Sequence, residues 1–407
     1  MDFQDSAEEA VWRREVRAWF SAHAQLRTTE DRSAFGDRSP AEEAEHVARA
    51  RAWQRTLYDA GYAGITWPKP YGGRGGTALE AMIFNQEQAA FVVDTGPFTV
   101  GSAMAGPTII AHGSEAQKAR YLDPLLRGEE IWCQLFSEPG AGSDLAGLAT
   151  RAVLDGDEYV VNGQKVWTSG AHYSDLAILL ARTDPDQPKH RGITYFVVDM
   201  RSPGIEVRPL RQMTGGSHFN EVFLTDLRVP AANVVGDLNN GWRVAMTTLA
   251  NERTAIGGGG SGVRFAEIHR LAEDFSRTAD PLVRQQLASL YTDLEILRYL
   301  GFRIQTALSQ GRLPGPESSV LKLAYSRHVA ALGDVVLGLA GPAGALAGRD
   351  APDAGYWQLR FLGQYGIRIG GGTDEVQRNV IGERVLGLPG EPRADKELSF
   401  RELSGRA

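Results

Sequence analysis

The hydrophobic periodicity of this chain changes twice, and that change limits the possible folds more than any other feature. Apolar residues within Trp12–Phe20 recur at the spacing of one helix face, with charged residues on the other. Apolar runs of strand length follow, such as Ile193–Met200, and no helical pattern alternates with them. From Trp242 onward the spacing is helical again, with a seam of apolar residues over 321–339. The order is therefore helical, β, helical.

This order predicts an α+β fold with three domains, which agrees with a length of 407 residues at about 150 residues per domain. The predicted domains are an N-terminal helical domain (1–128), a middle antiparallel β domain (129–241) and a C-terminal helical bundle (242–407). Within the β domain, the pair Asn162-Gly163 lies between two β-prone runs and predicts a hairpin turn. The polar segment from Gly390 to Ala407 is predicted to be a mobile tail.

Charge and cysteine content exclude several classes of protein. Lys and Arg total 43 and Asp and Glu total 50, so the net charge of −7 has the wrong sign for binding nucleic acid through its phosphates. The single cysteine, Cys133, can neither close an intramolecular disulfide nor build a thiolate metal site. The acidic start of the chain does not resemble a secretory signal, and no uncharged apolar run reaches the ~18 residues of a membrane span. We expect a cytoplasmic protein with no nucleic-acid partner and no membrane span.

Two short polar segments carry the strongest chemical signal. Phe136–Asp144 is rich in glycine and serine, and Lys165–Gly170 follows it along the chain. Glycines let backbone amides approach an anion or a ring edge, serines supply hydroxyls, and Trp167 supplies a flat apolar wall. This combination suits an aromatic cofactor with a polar edge, although an ordinary β-turn explains the glycines taken alone. The sequence has no motif of a serine hydrolase, zinc protease or P-loop protein, and its eight histidines lack metal-ligand spacing, so no metal site is predicted.

The order of the motifs gives them a more specific meaning. Ser137–Asp144, Trp167–Ser169 and Gly372–Asn379 together resemble the acyl-CoA dehydrogenase family, as do Trp67–Gly73 and Arg208–Pro230. The likeness covers nearly the whole chain. It implies a barrel-like β domain between an N-terminal helical domain and a four-helix bundle, arranged around FAD.

The reaction implied by this resemblance is the FAD-dependent α,β-dehydrogenation of an acyl-CoA thioester to the trans-2-enoyl-CoA. Such an oxidoreductase step belongs to fatty-acid β-oxidation and lipid metabolism. The implied partners are the acyl-CoA substrate, an electron-transfer flavoprotein and other copies of the chain, because FAD sites in the family are completed across a subunit interface. A homo-oligomer, either a dimer or a tetramer, is expected, and a hetero-oligomer stays open.

The resemblance also assigns site residues by position. Those at the flavin ring or the substrate edge are Leu135, Ser137, Gly142, Ser143, Trp167 and Ser169, with Ser137 near the reactive ring nitrogen. Those at the pyrophosphate, ribose and adenine side are Thr373, Glu375, Gly341, Arg284 and Gln285. Those expected to contact the substrate are Ser143, Arg253 and Gly372.

One position departs from the family pattern. In many members the residue two before the threonine of the last motif is the glutamate that removes the substrate α-proton, but here it is Gly371. A minority branch, including enzymes for branched and bulky acyl groups, carries that glutamate on the first helix of the C-terminal domain, just before an arginine. Glu252 precedes Arg253 in this way, so Glu252 is the predicted base, and the alternative is an ordinary solvated helix carboxylate. The Gly371 N–H still serves the thioester oxygen, and the missing side chain leaves room for a bulky or branched acyl group.

Two other functions stay open at this point. Flavin monooxygenases and nitroalkane oxidases share the scaffold and differ in how the reduced flavin reacts with oxygen or in the base they use. The chain could also be a silent partner subunit of a hetero-oligomeric dehydrogenase, an interpretation that the presence of Glu252 opposes.

Overall fold

The computed structural model describes residues 5–28, 38–258, 263–310, 315–316, 318–392 and 396–405. The elements of its N-terminal part are α1 (Ala7–His23), β1 (Gln25–Leu26), α2 (Pro40–Asp59), α3 (Ala78–Gln88), β2 (Phe91–Val92), α4 (Gly106–His112) and α5 (Glu115–Leu126). Capping boxes begin α1, α2, α3 and α5, with their caps at Ser6, Ser39, Thr77 and Ser114. Local sequence therefore determines where these helices start.

The predicted apolar face of α1 is confirmed. Trp12, Val16 and Phe20 are buried in a cluster of aromatic and aliphatic side chains contributed by the first three helices. The Phe20 and Phe84 rings lie 5.0 Å apart, and those of Trp12 and Tyr62 lie 5.9 Å apart. Large buried rings contribute most of the hydrophobic stabilisation of such a cluster.

Seven strands form the middle sheet: β3 (Trp132–Leu135), β4 (Arg151–Asp155), β5 (Glu158–Ser169), β6 (Leu176–Arg182), β7 (Ile193–Asp199), β8 (Ile205–Leu210) and β9 (Phe219–Pro230). Their order is β3-β6-β4-β5-β9-β8, and β7 pairs with β6. The β4–β5, β5–β9, β6–β7 and β8–β9 ladders are antiparallel as expected, whereas β6 pairs parallel with both β3 and β4. The chain between β3 and β6 is long enough for the crossover that a parallel pair requires.

Strand β6 is buried on both faces, and this burial explains why it reads as a continuous apolar run. Ile178 and Leu180 pack with residues of α4, α5 and the first helix of the C-terminal part, whereas Ala177 and Leu179 pack inside the curved sheet itself. The sheet therefore has one core shared with helices and a second core of its own.

The hairpin predicted at Asn162-Gly163 is wrong. β5 runs straight through these residues, and the turn that joins it to β4 lies at Gly156, whose φ is +68°. At Asn162-Gly163 the register against β9 shifts by a bulge. The Asn162 side chain donates to the Asp226 carboxylate at 3.0 Å and accepts from the Asp226 amide at 2.9 Å. Pairing with β9 therefore overrides the local turn propensity.

The C-terminal part is helical. Its longer elements are α6 (Gly241–Gly258), α7 (Phe265–Asp274), α8 (Pro281–Ser309), α9 (Ser318–Ala340), α10 (Tyr356–Ile369) and α11 (Asp374–Val380). Helix α9 is central and contacts α6, α7, α8, α10 and α11. Of its predicted apolar seam, Leu332 and Leu339 are buried against Leu287 of α8 and Trp357 of α10.

Within the described residues, one helical stretch, Ser318–Ala345, is long and apolar enough to cross a membrane. The central helix of a soluble bundle has the same length and composition. This stretch holds two buried charged or ionisable side chains, Lys322 and His328, and forms the centre of the bundle. The result is therefore weak evidence for a membrane span.

The prediction of a mobile tail does not hold for residues 396–405. There α12 (Phe400–Ser404) begins at a capping box on Ser399 and docks on the loop between β6 and β7. Docking satisfies main-chain hydrogen bonds that polar composition alone does not reveal. Residues 393–395 and 406–407 of the predicted tail lie outside the described residues.

Candidate functional site

The first motif forms a closed loop directly after β3. Glu138 and Ala141 exchange main-chain hydrogen bonds of 3.1 and 3.0 Å across the loop. The Ser137 carbonyl accepts from the Val166 amide of β5 at 2.9 Å. This bond joins the first predicted motif to the second, which lies far from it along the chain.

The tip of this loop is open on its outer side. A Cβ built on Gly140 or Gly142 would meet no atom within 4 Å beyond its immediate neighbours. Ser143 is exposed next to them, and Ser137 is half-buried. The loop therefore offers two hydroxyls and unobstructed backbone to a ligand.

A buried ion pair supports the loop from behind. The Lys165 Nζ donates to the Glu138 carboxylate at 2.8 Å and to the Phe136 carbonyl at 3.0 Å. The same carboxylate accepts from the amides of Ala149 at 2.7 Å and Thr150 at 2.9 Å. Burial lowers the pKa of Lys165 to about 8. Burial opposes ionisation of Glu138 too, but Lys165 and the hydrogen bonds outweigh it and hold the pKa of the carboxyl below its usual value.

The sequence reasoning missed this pair. The sequence signal for the pair is a glutamate inside the first motif and a lysine on β5, two residue types that are rarely buried unless they are paired.

The second motif lies on a bulge of β5, where the register against β9 shifts between Lys165 and Thr168. Trp167 has a φ of 62°, which is rare for a residue with a side chain, and its indole is 56% exposed. The ring makes an edge contact with Phe219 at 5.8 Å. Ser169 is exposed, and the buried Thr168 hydroxyl has no hydrogen-bond partner among the described residues. The bulge thus turns a flat apolar ring outward beside hydroxyl groups.

The third motif begins with a glycine turn between α10 and α11. Gly371 and Gly372 have φ of 66° and 89°, in the left-handed region that favours glycine. The Gln377 side-chain amide donates to both of their carbonyls, at 3.0 and 3.2 Å. Thr373 caps α11 by accepting from the Val376 amide at 3.1 Å. The turn therefore has a defined backbone direction without any acidic side chain at Gly371.

Asp374 ties this turn to the bundle. Its buried carboxylate accepts from the Ser326 hydroxyl at 2.5 Å and from Arg368 at 3.2 Å, and the Lys322 ammonium lies 3.7 Å away. Lys322 also donates to the Ile367 carbonyl at 3.0 Å. Burial opposes ionisation, but these donors hold the pKa of Asp374 below its usual value. This network was also missed from the sequence, because only the fold brings α9 and α10 to the turn.

Helix α6 carries the predicted base. The Thr248 hydroxyl lies 2.9 Å from that of Thr108 on α4 and 3.2 Å from that of Tyr195 on β7, so three elements meet there. Glu252 lies one helical turn later, on the same face of α6, and is half-buried. Beside α6 lies a π-helical turn, Gly101–Ala105, which leads into α4. The face that carries Glu252 is therefore the face packed on the N-terminal helices.

The other predicted site residues are more scattered. Leu135 is fully buried within the sheet, so its side chain cannot meet a cofactor and only its main chain is available. Arg284 and Gln285 are exposed on α8, and Gly341 is exposed at the end of α9 with a φ of 56°. The Arg253 side chain lies outside the described residues.

Glu375 is exposed on α11 and pairs with Arg378 at 3.0 Å. In the described part of the chain, no group of three or more His, Cys, Asp or Glu side chains is placed to hold a metal ion.

Models of one protein family match most of the chain. Models described as the N-terminal, middle and C-terminal domains of acyl-CoA dehydrogenase match residues 6–129, 133–227 and 239–386. The chain belongs to the acyl-CoA dehydrogenase family. The predicted family, three-part fold class and oxidoreductase class are thereby confirmed.

Several relatives are similar over most of this chain. Acyl-CoA dehydrogenase IpdE1 of Mycobacterium tuberculosis is 38% identical over 387 residues, which cover 94% of this chain and 98% of the relative. Acyl-CoA dehydrogenase FadE34 of the same organism is 44% identical over 337 residues, 83% of this chain but only 46% of FadE34. The chain thus spans about half the length of FadE34. Among solved structures, the "Tcur3481-Tcur3483 steroid ACAD" is 32% identical, with a TM-score of 0.78 and coverage of 96% of this chain and 100% of that one.

Proposed function

We propose that this chain catalyses the FAD-dependent α,β-dehydrogenation of an acyl-CoA thioester, with Glu252 as the base that removes the α-proton. The observation that carries the proposal is the division of roles between two elements. The Gly371 turn has a defined backbone but no acid, whereas α6 holds Glu252, its only carboxylate, on the face that packs on the N-terminal helices.

The residues at the first two motifs fit a flavin. An isoalloxazine ring has apolar faces and a polar edge, and it requires an open surface with hydroxyl and amide donors. Trp167 supplies an exposed flat ring, Gly140 and Gly142 leave the space open, and the buried Thr168 hydroxyl lacks a partner among the described residues. Ser137 and Ser169 lie on the two chain segments that border this space. A flavin therefore suits the donor set.

In the proposed mechanism, the chain's own residues position the thioester and move one proton. Bound FAD would supply the acceptor for the β-hydride. Glu252 takes the α-proton, and a half-buried carboxylate is a better matched base for this weak acid than a solvated one. The Gly371 N–H donates to the thioester oxygen as charge develops on it. Ser143 and Gly372 bind the substrate, and Thr373, Glu375, Gly341, Arg284 and Gln285 bind the remainder of the cofactor.

We propose a bulky, polycyclic acyl group of the steroid type as the substrate. Gly371 places no side chain beside the reacting carbons, which leaves space that a glutamate would fill. The solved relative titled a steroid acyl-CoA dehydrogenase supports this class. The family resemblance supports an electron-transfer flavoprotein as the oxidant. The family resemblance and the single, buried cysteine, Cys133, support a cytoplasmic location.

A second candidate concerns assembly. The relative FadE34 is about twice as long as its matched region, and one solved relative is titled as a ChsE4–ChsE5 complex, 31% identical with a TM-score of 0.77. These observations favour a hetero-oligomer over the homotetramer expected from the family at large. In such a hetero-oligomer this chain would be one of two acyl-CoA dehydrogenase-like subunits. Mass measurement of the native assembly, with and without a candidate second chain, separates the two.

The test of the reaction is an anaerobic titration of the purified, flavin-loaded protein with straight, branched and steroid-derived acyl-CoAs. Bleaching of the visible flavin band by steroid-derived thioesters is expected. Glu252→Gln should lower the rate of bleaching about 100-fold or more while flavin content stays unchanged. Glu273→Gln, which removes an exposed carboxylate of α7, is the matched control.

Two results would overturn parts of the proposal. Bleaching that survives in Glu252→Gln would exclude this residue as the base. Bound flavin that no thioester bleaches would favour a monooxygenase or a silent subunit instead.

A further inference from the structure

The end of the chain pairs with the loop that joins β6 to β7. The Phe400 amide donates to the Gln187 carbonyl and the Arg401 amide to the Pro185 carbonyl, each at 2.9 Å. Ser399 forms a β-bridge with Pro188. α12 is therefore held by main-chain hydrogen bonds to the 183–191 loop.

Below α12 lies the guanidinium of Arg182, the last residue of β6 and only 2% exposed. It donates to the carbonyls of Ala146 at 2.7 Å and Leu148 at 3.1 Å, just after the first motif. It also donates to the carbonyls of Lys189 at 3.3 Å and Arg191 at 3.4 Å. One buried cation therefore links the end of the Ser143 loop to the 183–191 loop.

The Phe400 ring covers this cation. Its centroid lies 3.7 Å from the guanidinium carbon of Arg182, within the range of a cation–π contact. Burial lowers the pKa of Arg182 to about 10, so the guanidinium keeps its charge at neutral pH. The Arg182 donors that face carbonyls are thus shielded from water on the side where α12 lies.

Two further contacts connect the 183–191 loop to the candidate site. The Lys189 ammonium pairs with Asp144 at 2.8 Å, the residue after Ser143. The His190 ring makes an edge contact with Trp242 at the start of α6, 5.1 Å between centroids. The loop covered by α12 therefore touches both elements on which the proposed function depends.

We propose that Phe400 is a positioning residue for the acyl-CoA site, acting through Arg182 on the Ser143 loop. This inference rests on the proposed function, since it takes that loop as a substrate contact. Phe400 contacts no reacting atom in this scheme. Its ring keeps the guanidinium dry and in place, and the guanidinium sets the path of 143–149 and of the 183–191 loop.

The test compares Phe400→Ala, Phe400→Leu and Phe400→Tyr in the full-length, flavin-loaded protein. Phe400→Ala is expected to raise KM for the acyl-CoA about fivefold with kcat unchanged, because only the placement of the binding loop is disturbed. Phe400→Tyr keeps the aromatic face and should restore the KM, whereas Phe400→Leu keeps only apolar bulk and should not. Glu397→Gln, which changes an exposed carboxylate of the same C-terminal segment, is the matched control.

Amide hydrogen exchange provides a readout that does not depend on catalysis. Phe400→Ala should speed exchange at 143–149 and 183–191, and leave exchange in α1–α3 unchanged. If Phe400→Ala alters neither KM nor exchange, or if Phe400→Leu behaves as the wild type, the proposal is wrong. If exchange changes but no thioester is oxidised by any variant or by the wild type, the coupling stands and the proposed function fails.

Discussion

Glu138 and Asp374 are two buried carboxylates that do similar work in different surroundings. Each lies behind a glycine-rich segment of the candidate site and ties that segment to the rest of the fold. Glu138 pairs with the fully buried Lys165, so both charges are removed from water. Asp374 shares its charge among a hydroxyl, the buried Lys322 and the Arg368 guanidinium, whose side chain is 45% exposed.

This difference in surroundings indicates at which carboxylate the loss of one partner should reduce stability most. A glycine loop has no side chains with which to fix itself, so its shape depends on bonds made by its neighbours. At Glu138, removal of the carboxylate leaves the Lys165 ammonium buried with a neutral acceptor, the Phe136 carbonyl. Removal of Lys165 leaves a buried carboxylate whose remaining hydrogen-bond donors, the Ala149 and Thr150 amides, are neutral. At Asp374, water reaches part of the network and several donors remain. The first site should therefore be the more sensitive to single substitutions.

Glu138→Ala should have the largest effect. It leaves the Lys165 ammonium buried without its carboxylate and removes the acceptor of the Ala149 and Thr150 amides, so we expect a loss of about 3–5 kcal/mol in the free energy of unfolding. Flavin should also be released. Chemical denaturation followed by tryptophan fluorescence measures the first effect, and absorbance of the purified protein measures the second.

The double variant Glu138→Gln with Lys165→Met sharpens this prediction. It removes both charges and keeps similar volume, so most of the lost stability should return. A double variant as unstable as Glu138→Ala would show that the unpaired charge does not cause the loss of stability.

Asp374→Asn should be milder, with a loss of about 2 kcal/mol, because a neutral amide keeps the shape but loses charge-assisted hydrogen bonds. The same denaturation experiment measures it, and Ser326→Ala is its partner variant. An equal loss in the free energy of unfolding for Asp374→Asn and Glu138→Ala would show that access of water to Arg368 does not make the Asp374 site more tolerant of substitution.

These two carboxylates also show the limit of sequence reasoning. The motifs themselves, the three-part order and the apolar face of α1 were predicted, because each depends on residues that are near in sequence. The partners Lys165, Ser326 and Lys322 were not, because only the register of β5 and the packing of α9 bring them to the loops. The wrong hairpin at Asn162-Gly163 has the same cause, since pairing with β9 outweighs local preference.

Acid should destabilise the protein in part through Asp374. The pKa of this carboxyl is lowered in the folded state, so the stability it contributes is fully present above its unfolded-state pKa of about 4 and is lost as pH falls through the folded-state value. Asp374→Asn should therefore show a flatter decline in unfolding free energy than the wild type below that pH. Parallel declines for the two proteins would mean that Asp374 does not titrate with a lowered pKa.

Glu375, the neighbour of Asp374, should give the smallest change in stability and a separate change in binding. Its side chain is 75% exposed and pairs with Arg378 on the same helix, so Glu375→Gln should alter the free energy of unfolding by no more than about 0.5 kcal/mol. If Glu375 binds the ribose side of the cofactor, as proposed, the variant should nevertheless release flavin faster, which dialysis and absorbance would measure. Two adjacent residues of α11 would then have different roles, with Asp374 stabilising the turn and Glu375 binding the cofactor. Unchanged flavin retention would leave Glu375 as a surface residue and remove it from the proposed site.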